Sequence, residues 1–114
     1  MVHRIEIATD FSDVPAGRFD ADGPYAGEVF QREFLVPALE AGGNVTVILD
    51  GVEGYGSSFL EEAFGGLIRN CGFQYSDLRQ RLQIVAESEE YQVYRDIITQ
   101  YMEDAARVAN QQVA

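Results

Sequence analysis

Few residues of this chain are of the types that do chemistry, and their spacing sets most of them apart. The only histidine, His3, falls in a strand-like run at the start, and the only cysteine, Cys71, at a helix end far along the chain. Nothing in the sequence assembles them into a nucleophile and base. Glu61 and Glu62 are adjacent, and neighbours on a helix point about 100 degrees apart, so they make a poor acid/base pair and read better as a solvated face. No histidine or cysteine cluster has metal-ligand spacing, so neither a metal nor a cofactor is expected. Gly51, Gly54 and Gly56 precede a helix, but without the lysine or the spacing of a phosphate-cradling loop, and they report tight turns. What remains is a pair of hydroxyls, Ser57 and Ser58, at the tip of a strand-to-helix junction. Serine caps helices very commonly, so the plainer reading makes Ser58 a cap and Ser57 a turn residue. The chain reads as non-enzymatic.

The elements that must position the two serines run without a break from Val45 to Gly72. Val45, Val47, Ile48 and Leu49 form a short apolar run suited to a strand covered on both faces, and Asp50 and Gly51 end it. Ser58 with Glu61 three residues on predicts a capping box, which starts the helix at Ser58 or one residue earlier. Leu60, Ala63, Phe64, Leu67 and Ile68 then mark one helical face, and Arg69, Asn70 and Gly72 supply its stop. Gly65 and Gly66 cost roughly 1 kcal/mol each in a helix, which predicts that another backbone approaches there.

Around this unit, Val2, Arg4, Ile5 and Ile7 suit a strand near a sheet edge. Thr9 to Ala26 is crowded with Asp, Gly, Pro and Ser and predicts a long irregular loop of the kind that is more often functional or mobile than idle. Its one cation, Arg18, is placed to hold an anionic ligand or, as the favoured reading, to pair with Asp20 or Asp22. A helix begins near Gly27 and should end or kink at Val36, ahead of Pro37, with a further turn through Leu39. Ser76 opens a short helical turn, Ile84 to Ala86 a third strand, and Ser88 caps a last helix carrying the stripe Tyr91, Tyr94, Ile97, Ile98, Tyr101 and Met102. The order, strand, loop, helix, strand, helix, strand, helix, predicts a small layered α/β fold with a mixed sheet and helices, all 114 residues forming one domain.

Nineteen acidic residues stand against eight arginines and no lysine, a net charge of -11 that repels phosphate backbones and anionic membranes. No nucleic acid and no membrane is expected as a partner. A single cysteine, with no leader or long apolar span in view, predicts a reducing, cytoplasmic setting. Tyr25, Tyr55 and Phe59 sit in or beside the loops and would form an exposed apolar patch for a partner, with Phe59 as its anchor.

Across Leu49 to Ile68 the chain resembles the STAS fold of sulphate-transporter tails and anti-sigma-factor antagonists. It is more closely similar to the small bacterial and phage-borne set of STAS-like domains of unknown function. The closer likeness is carried by Ser57, Ser58, Phe59, Glu62, Phe64 and Gly65, and by the segments Gly23 to Glu28 and Leu35 to Leu39. In the wider class an Asp precedes the two serines and a Gly follows them, where this chain has Gly56 and Phe59. The resemblance implies that Ser57 or Ser58 is phosphorylated by a partner kinase, and that the chain is a partner-switching regulatory module. The phosphate would bring about -1.5 to -2 charges to a helix N-terminus, favourable by roughly 0.3 to 1 kcal/mol but opposed by Asp50, Glu53, Glu61 and Glu62. The implied partner is a protein, a histidine-kinase-like ATPase or a sigma-factor regulator, and a homodimer is compatible with this reading. The docking residues would be Ser57, Ser58, Phe59, Tyr55 and Glu62, with Arg18 and Tyr25 from the loop. The alternative is a small-molecule or nucleotide sensor using the glycine turns before the central helix.

Overall fold

The structure is a computed structural model that describes residues 2–113. Three strands, β1 (Val2–Glu6), β2 (Asn44–Ile48) and β3 (Leu82–Val85), pair in the order β1-β2-β3. Both pairings are parallel, with Ile5 opposite Val47 and Val47 opposite Ile84. The layered α/β fold is as expected, but the sheet is parallel throughout the described strands instead of mixed. Each link between neighbouring strands contains a helix, and such a crossover returns the chain in the same direction. β3 also begins at Leu82, two residues earlier than expected, because the preceding short helix delivers the chain directly into the sheet.

Among the described residues, four helices pack with the sheet and with one another. Helix α1 spans residues 27–40 as Gly27–Phe30, a wide π-type turn Gln31–Leu35, and Val36–Glu40. Pro37 therefore neither ends nor breaks it: Val36 N–H reaches back five residues to the Gln31 carbonyl, and this wide turn takes the carbonyls ahead of the proline ring out of the regular α register. Helix α2 spans residues 57–69, built as Ser57–Leu60, a second wide turn Glu61–Gly65, and Gly66–Arg69. Helices α3 (Tyr75–Arg81) and α4 (Glu89–Val113) follow. Between β1 and α1 the chain makes a wide turn at Ile7–Phe11 and a tight one at Asp20–Asp22, and otherwise has no regular structure until Gly27.

One hydrophobic core runs from Ile5 to Ala105 and includes every member of the α2 stripe, Leu60, Ala63, Phe64, Leu67 and Ile68. α2 packs between α1 and α4. Its crossing with α1 depends on Gly27, where a Cβ would stand 2.5 Å from the Phe59 carbonyl oxygen and 3.1 Å from the Ala63 nitrogen. Main chain cannot yield as a side chain can, so only glycine permits this approach. At Gly65 the expected second backbone is present: a Cβ there would stand in van der Waals contact, 3.6 Å, with the Tyr101 carbonyl oxygen of α4, and 2.7 Å from the Glu61 carboxylate. At Gly66 the expectation needs correcting, because a Cβ would meet the Gln31 amide and only polar side chains fill the space.

Candidate functional site

The β2-to-α2 junction is assembled from apolar residues that turn inward and polar groups that brace it. Beyond β2, Leu49 and Val52 are buried, and Gly51 turns the chain at a φ of 95°. Asp50 accepts the backbone N–H groups of Glu87 and Ser88, both at 2.9 Å, tying the junction to the start of α4. Desolvation opposes ionisation of this carboxyl, but the donations from Glu87 and Ser88 outweigh it and hold Asp50 below the usual carboxylate value. Tyr55 donates its hydroxyl to the Leu49 carbonyl at 2.7 Å, Tyr91 donates to Val52, and Glu53 N–H bonds Asp13 of the β1–α1 loop at 2.9 Å. Burial, then the charges at Tyr91, Asp50 and Tyr94, push the Tyr55 phenol well above its ordinary value, so it stays a donor.

On this braced platform Ser57 and Ser58 are exposed in the first turn of α2. The predicted capping box does not form. Extended Gly56 holds the cap position at φ -75° and ψ 147°, so Ser57 and Ser58 are already helical, and Glu61 is drawn elsewhere. Among the described residues no side chain holds either hydroxyl.

Glu61 and Glu62, expected as a solvated face, instead form a four-membered ionic cluster. Arg18 Nη1 bonds Glu61 closely and Glu62 at 3.3 Å, while Arg69 reaches Glu61 at 2.7 Å and Glu62 at 3.0 Å. Asn70 donates to Glu62 at 3.1 Å, and the Gln31 amide donates to the Glu62 carbonyl at 2.8 Å. Glu62 is only 3% exposed. Burial disfavours the Glu61 carboxylate, but donation from Arg69 and then Arg18 outweighs it and holds its pKa below the ordinary value. Arg18 thus pairs across the fold, not with Asp20 or Asp22. The Asp22 carboxylate instead accepts the N–H groups of Arg18 and Phe19, which fixes the loop so that the guanidinium points at α2. The sequence holds half a signal for the cluster, since Arg69 follows Glu62 by seven residues and shares its helical face, but nothing local indicates Arg18.

Three of the expected docking residues lie inward. Phe59 is 0% exposed among Phe11, Phe30 and Tyr55, Tyr55 is itself buried, and Glu62 is enclosed by its arginines. The physical reason is the apolar face of α2: Phe59 is next to Leu60 on the side that meets α1, so its ring enters the core. Tyr25, by contrast, is 46% exposed and sits edge-on to Phe11.

The sequence profile of one family, described as STAS-like domain of unknown function (DUF4325), matches residues 26–92, more than half of the chain. The chain belongs to this STAS-like family. The matched stretch carries the N-terminus of α1, the β2–α2 junction with both serines, and the start of α4, and it stops short of β1, of Arg18 and of Tyr25 in the preceding loop. No curated protein and no solved structure matched the chain. Among the described residues of this STAS-like domain no helix is long and apolar enough to cross a membrane, and no group of three or more His, Cys, Asp or Glu side chains could hold a metal ion. The Cys71 thiol is pushed up by partial burial and then by the Glu62 and Glu40 carboxylates, which disfavours the reactive thiolate. Three surface depressions are lined by residues of α2, the α2–α3 link, α3, β3 and α4.

The lowered carboxyls set a pH dependence. A group whose folded pKa lies below its unfolded value contributes stability that is fully present above the unfolded value, about 4 for Asp and Glu, and is lost as pH falls through the folded one. Urea midpoints should therefore drop on acidification below about pH 4, and the drop should be shallower in Asp50→Asn/Glu61→Gln. Parallel curves for the two proteins would remove these groups from the account.

Proposed function

We propose that this STAS-like domain is a non-enzymatic regulatory module that binds another protein through the surface around Ser57 and Ser58, with Tyr25 at its rim. The observation that carries the reading is the exposure of two unengaged hydroxyls on a turn braced from the β1–α1 loop, from the β3–α4 link and from α4. A rigid platform costs little ordering entropy on docking. In the partner-switching form of the reading, the partner is a histidine-kinase-like ATPase or a sigma-factor regulator, and transfer of a phosphoryl group from ATP to one serine by a partner kinase releases it. Glu61 and Glu62 oppose such a phosphate less than their sequence positions suggest, because Arg18 and Arg69 already balance them. A tenfold change in affinity needs only about 1.4 kcal/mol, well within reach of a phosphate's charge.

The test is quantitative affinity purification from native cells with the unaltered chain, Ser57→Ala/Ser58→Ala and Ser57→Asp/Ser58→Asp, together with mass spectrometry of the purified chain. At least one partner should be retained by the alanine form and depleted roughly tenfold with the aspartate form. Identical partner sets in all three would overturn the reading.

A further inference from the structure

Among the described residues, seven of the eight arginines stand within 4.0 Å of a carboxylate, and Arg79 is the exception. The next most weakly neutralised is Arg95, whose contact is 3.7 Å to its neighbour Asp96, an exposed carboxylate. In a chain with a net charge of -11, these two cations flank the same depression, about 210 Å³ in volume. Leu78, Leu82, Ile84 and Met102 contribute to its lining together with Thr99 and the two arginines, and no carboxylate lines it. Arg79 lies over the Tyr75 ring at 5.8 Å, and the nearby Glu103 is engaged with the Tyr75 hydroxyl at 3.4 Å.

The depression borders the last strand. β3 has β2 on one side and no described strand on the other. Val85 gives its carbonyl to Leu49 N–H at 2.9 Å, so Val85 faces β2. In a parallel ladder the peptide groups alternate sides along the strand, so Ile84 turns its N–H and carbonyl to the open edge. The free N–H and carbonyl of Ile84, with the Leu82 carbonyl before it, offer a short edge beside the depression that suits strand addition, in which main-chain bonds give affinity and alternate side chains give specificity.

We propose that the β3 edge accepts an extended acidic segment of a partner protein, its main chain pairing as a fourth strand, its apolar side chains entering the depression and its carboxylates meeting Arg79 and Arg95. The local charge of the groove selects this occupant: a basic segment would meet Arg79, which no described carboxylate pairs, and Arg95, which only the exposed Asp96 contacts at 3.7 Å. This surface is independent of the one around Ser57 and Ser58.

The test uses the full chain and a fluorescein-labelled synthetic peptide in which valine alternates with glutamate, read by fluorescence anisotropy. The acidic peptide should bind, the same peptide with lysine for glutamate should not, and a version N-methylated at alternate peptide groups should bind more weakly. Arg79→Glu/Arg95→Glu should weaken binding roughly tenfold or more, and Arg107→Glu, an exposed arginine elsewhere on α4, should leave it unchanged. Arg79→Ala serves as the milder variant if circular dichroism shows the double variant misfolded. Absence of binding by the acidic peptide, equal binding of the lysine peptide, or indifference to both arginine variants would overturn the proposal. A concentration-dependent dimer in sedimentation that Ile84→Pro abolishes would give the edge to a second copy, which also overturns it.

Discussion

Truncating Phe59 to alanine is expected to cost about 3 to 5 kcal/mol of stability, a large share of the 5 to 15 kcal/mol of an ordinary domain. The ring is fully buried, with the centroids of Phe11, Phe30 and Tyr55 at 6.2, 6.0 and 6.1 Å, so its removal opens a cavity that these rigid neighbours cannot close. The backbone adds to the constraint, because the Phe59 carbonyl is the atom against which Gly27 packs. Phe59→Leu should recover a substantial part of the loss by refilling the space. Urea unfolding followed by circular dichroism reads both variants. An unchanged midpoint for Phe59→Ala would return Phe59 to the surface role that its place beside the serines suggests.

Glu62→Ala is expected to lose about 1 to 3 kcal/mol, less than the 3 to 5 kcal/mol typical of breaking a fully buried pair. Glu62 is 3% exposed, but its partners Arg18 and Arg69 are 31% and 40% exposed and can turn to water once it is gone. Asn70 cannot do so as easily and loses an acceptor at 3.1 Å. Because Arg18 belongs to the β1–α1 loop, the same variant should speed proteolytic nicking between residues 9 and 26, which a change confined to α2 would not. Glu62→Gln keeps the shape and an acceptor and should sit between the two. A midpoint and a nicking rate both equal to those of the unaltered chain would show that the cluster is ornamental. Coupling to Arg18 can be read directly from a double-mutant cycle with Arg18→Ala.

The elements were legible because their signals are local. The apolar run Val45 to Leu49, the stripe from Leu60 to Ile68, and the long stripe of the last helix fall where β2, α2 and α4 are found. The expected first strand is β1, and it lies at the edge of the sheet. Where local signals misled, a tertiary group had outbid them. Ser58 and Glu61 match the spacing of a capping box, yet Glu61 gains more from two guanidinium groups than from one backbone N–H, and Gly56 takes the cap. Pro37 should stop a helix, and the wide turn ahead of it lets the helix continue.

By itself the sequence determined the order of the elements, the stripes that make the core, and a pair of serines at a strand-to-helix step, since each rests on contacts within a few residues of chain. Only the tertiary structure decided that Phe59 and Tyr55 are interior, that Arg18 and Glu62 meet from 44 residues apart, and that the unpaired Arg79 and the weakly paired Arg95 line one depression beside β3. The reason is that burial and ion pairing are settled by whichever segments come to lie alongside, and periodicity along one segment carries no record of its neighbours.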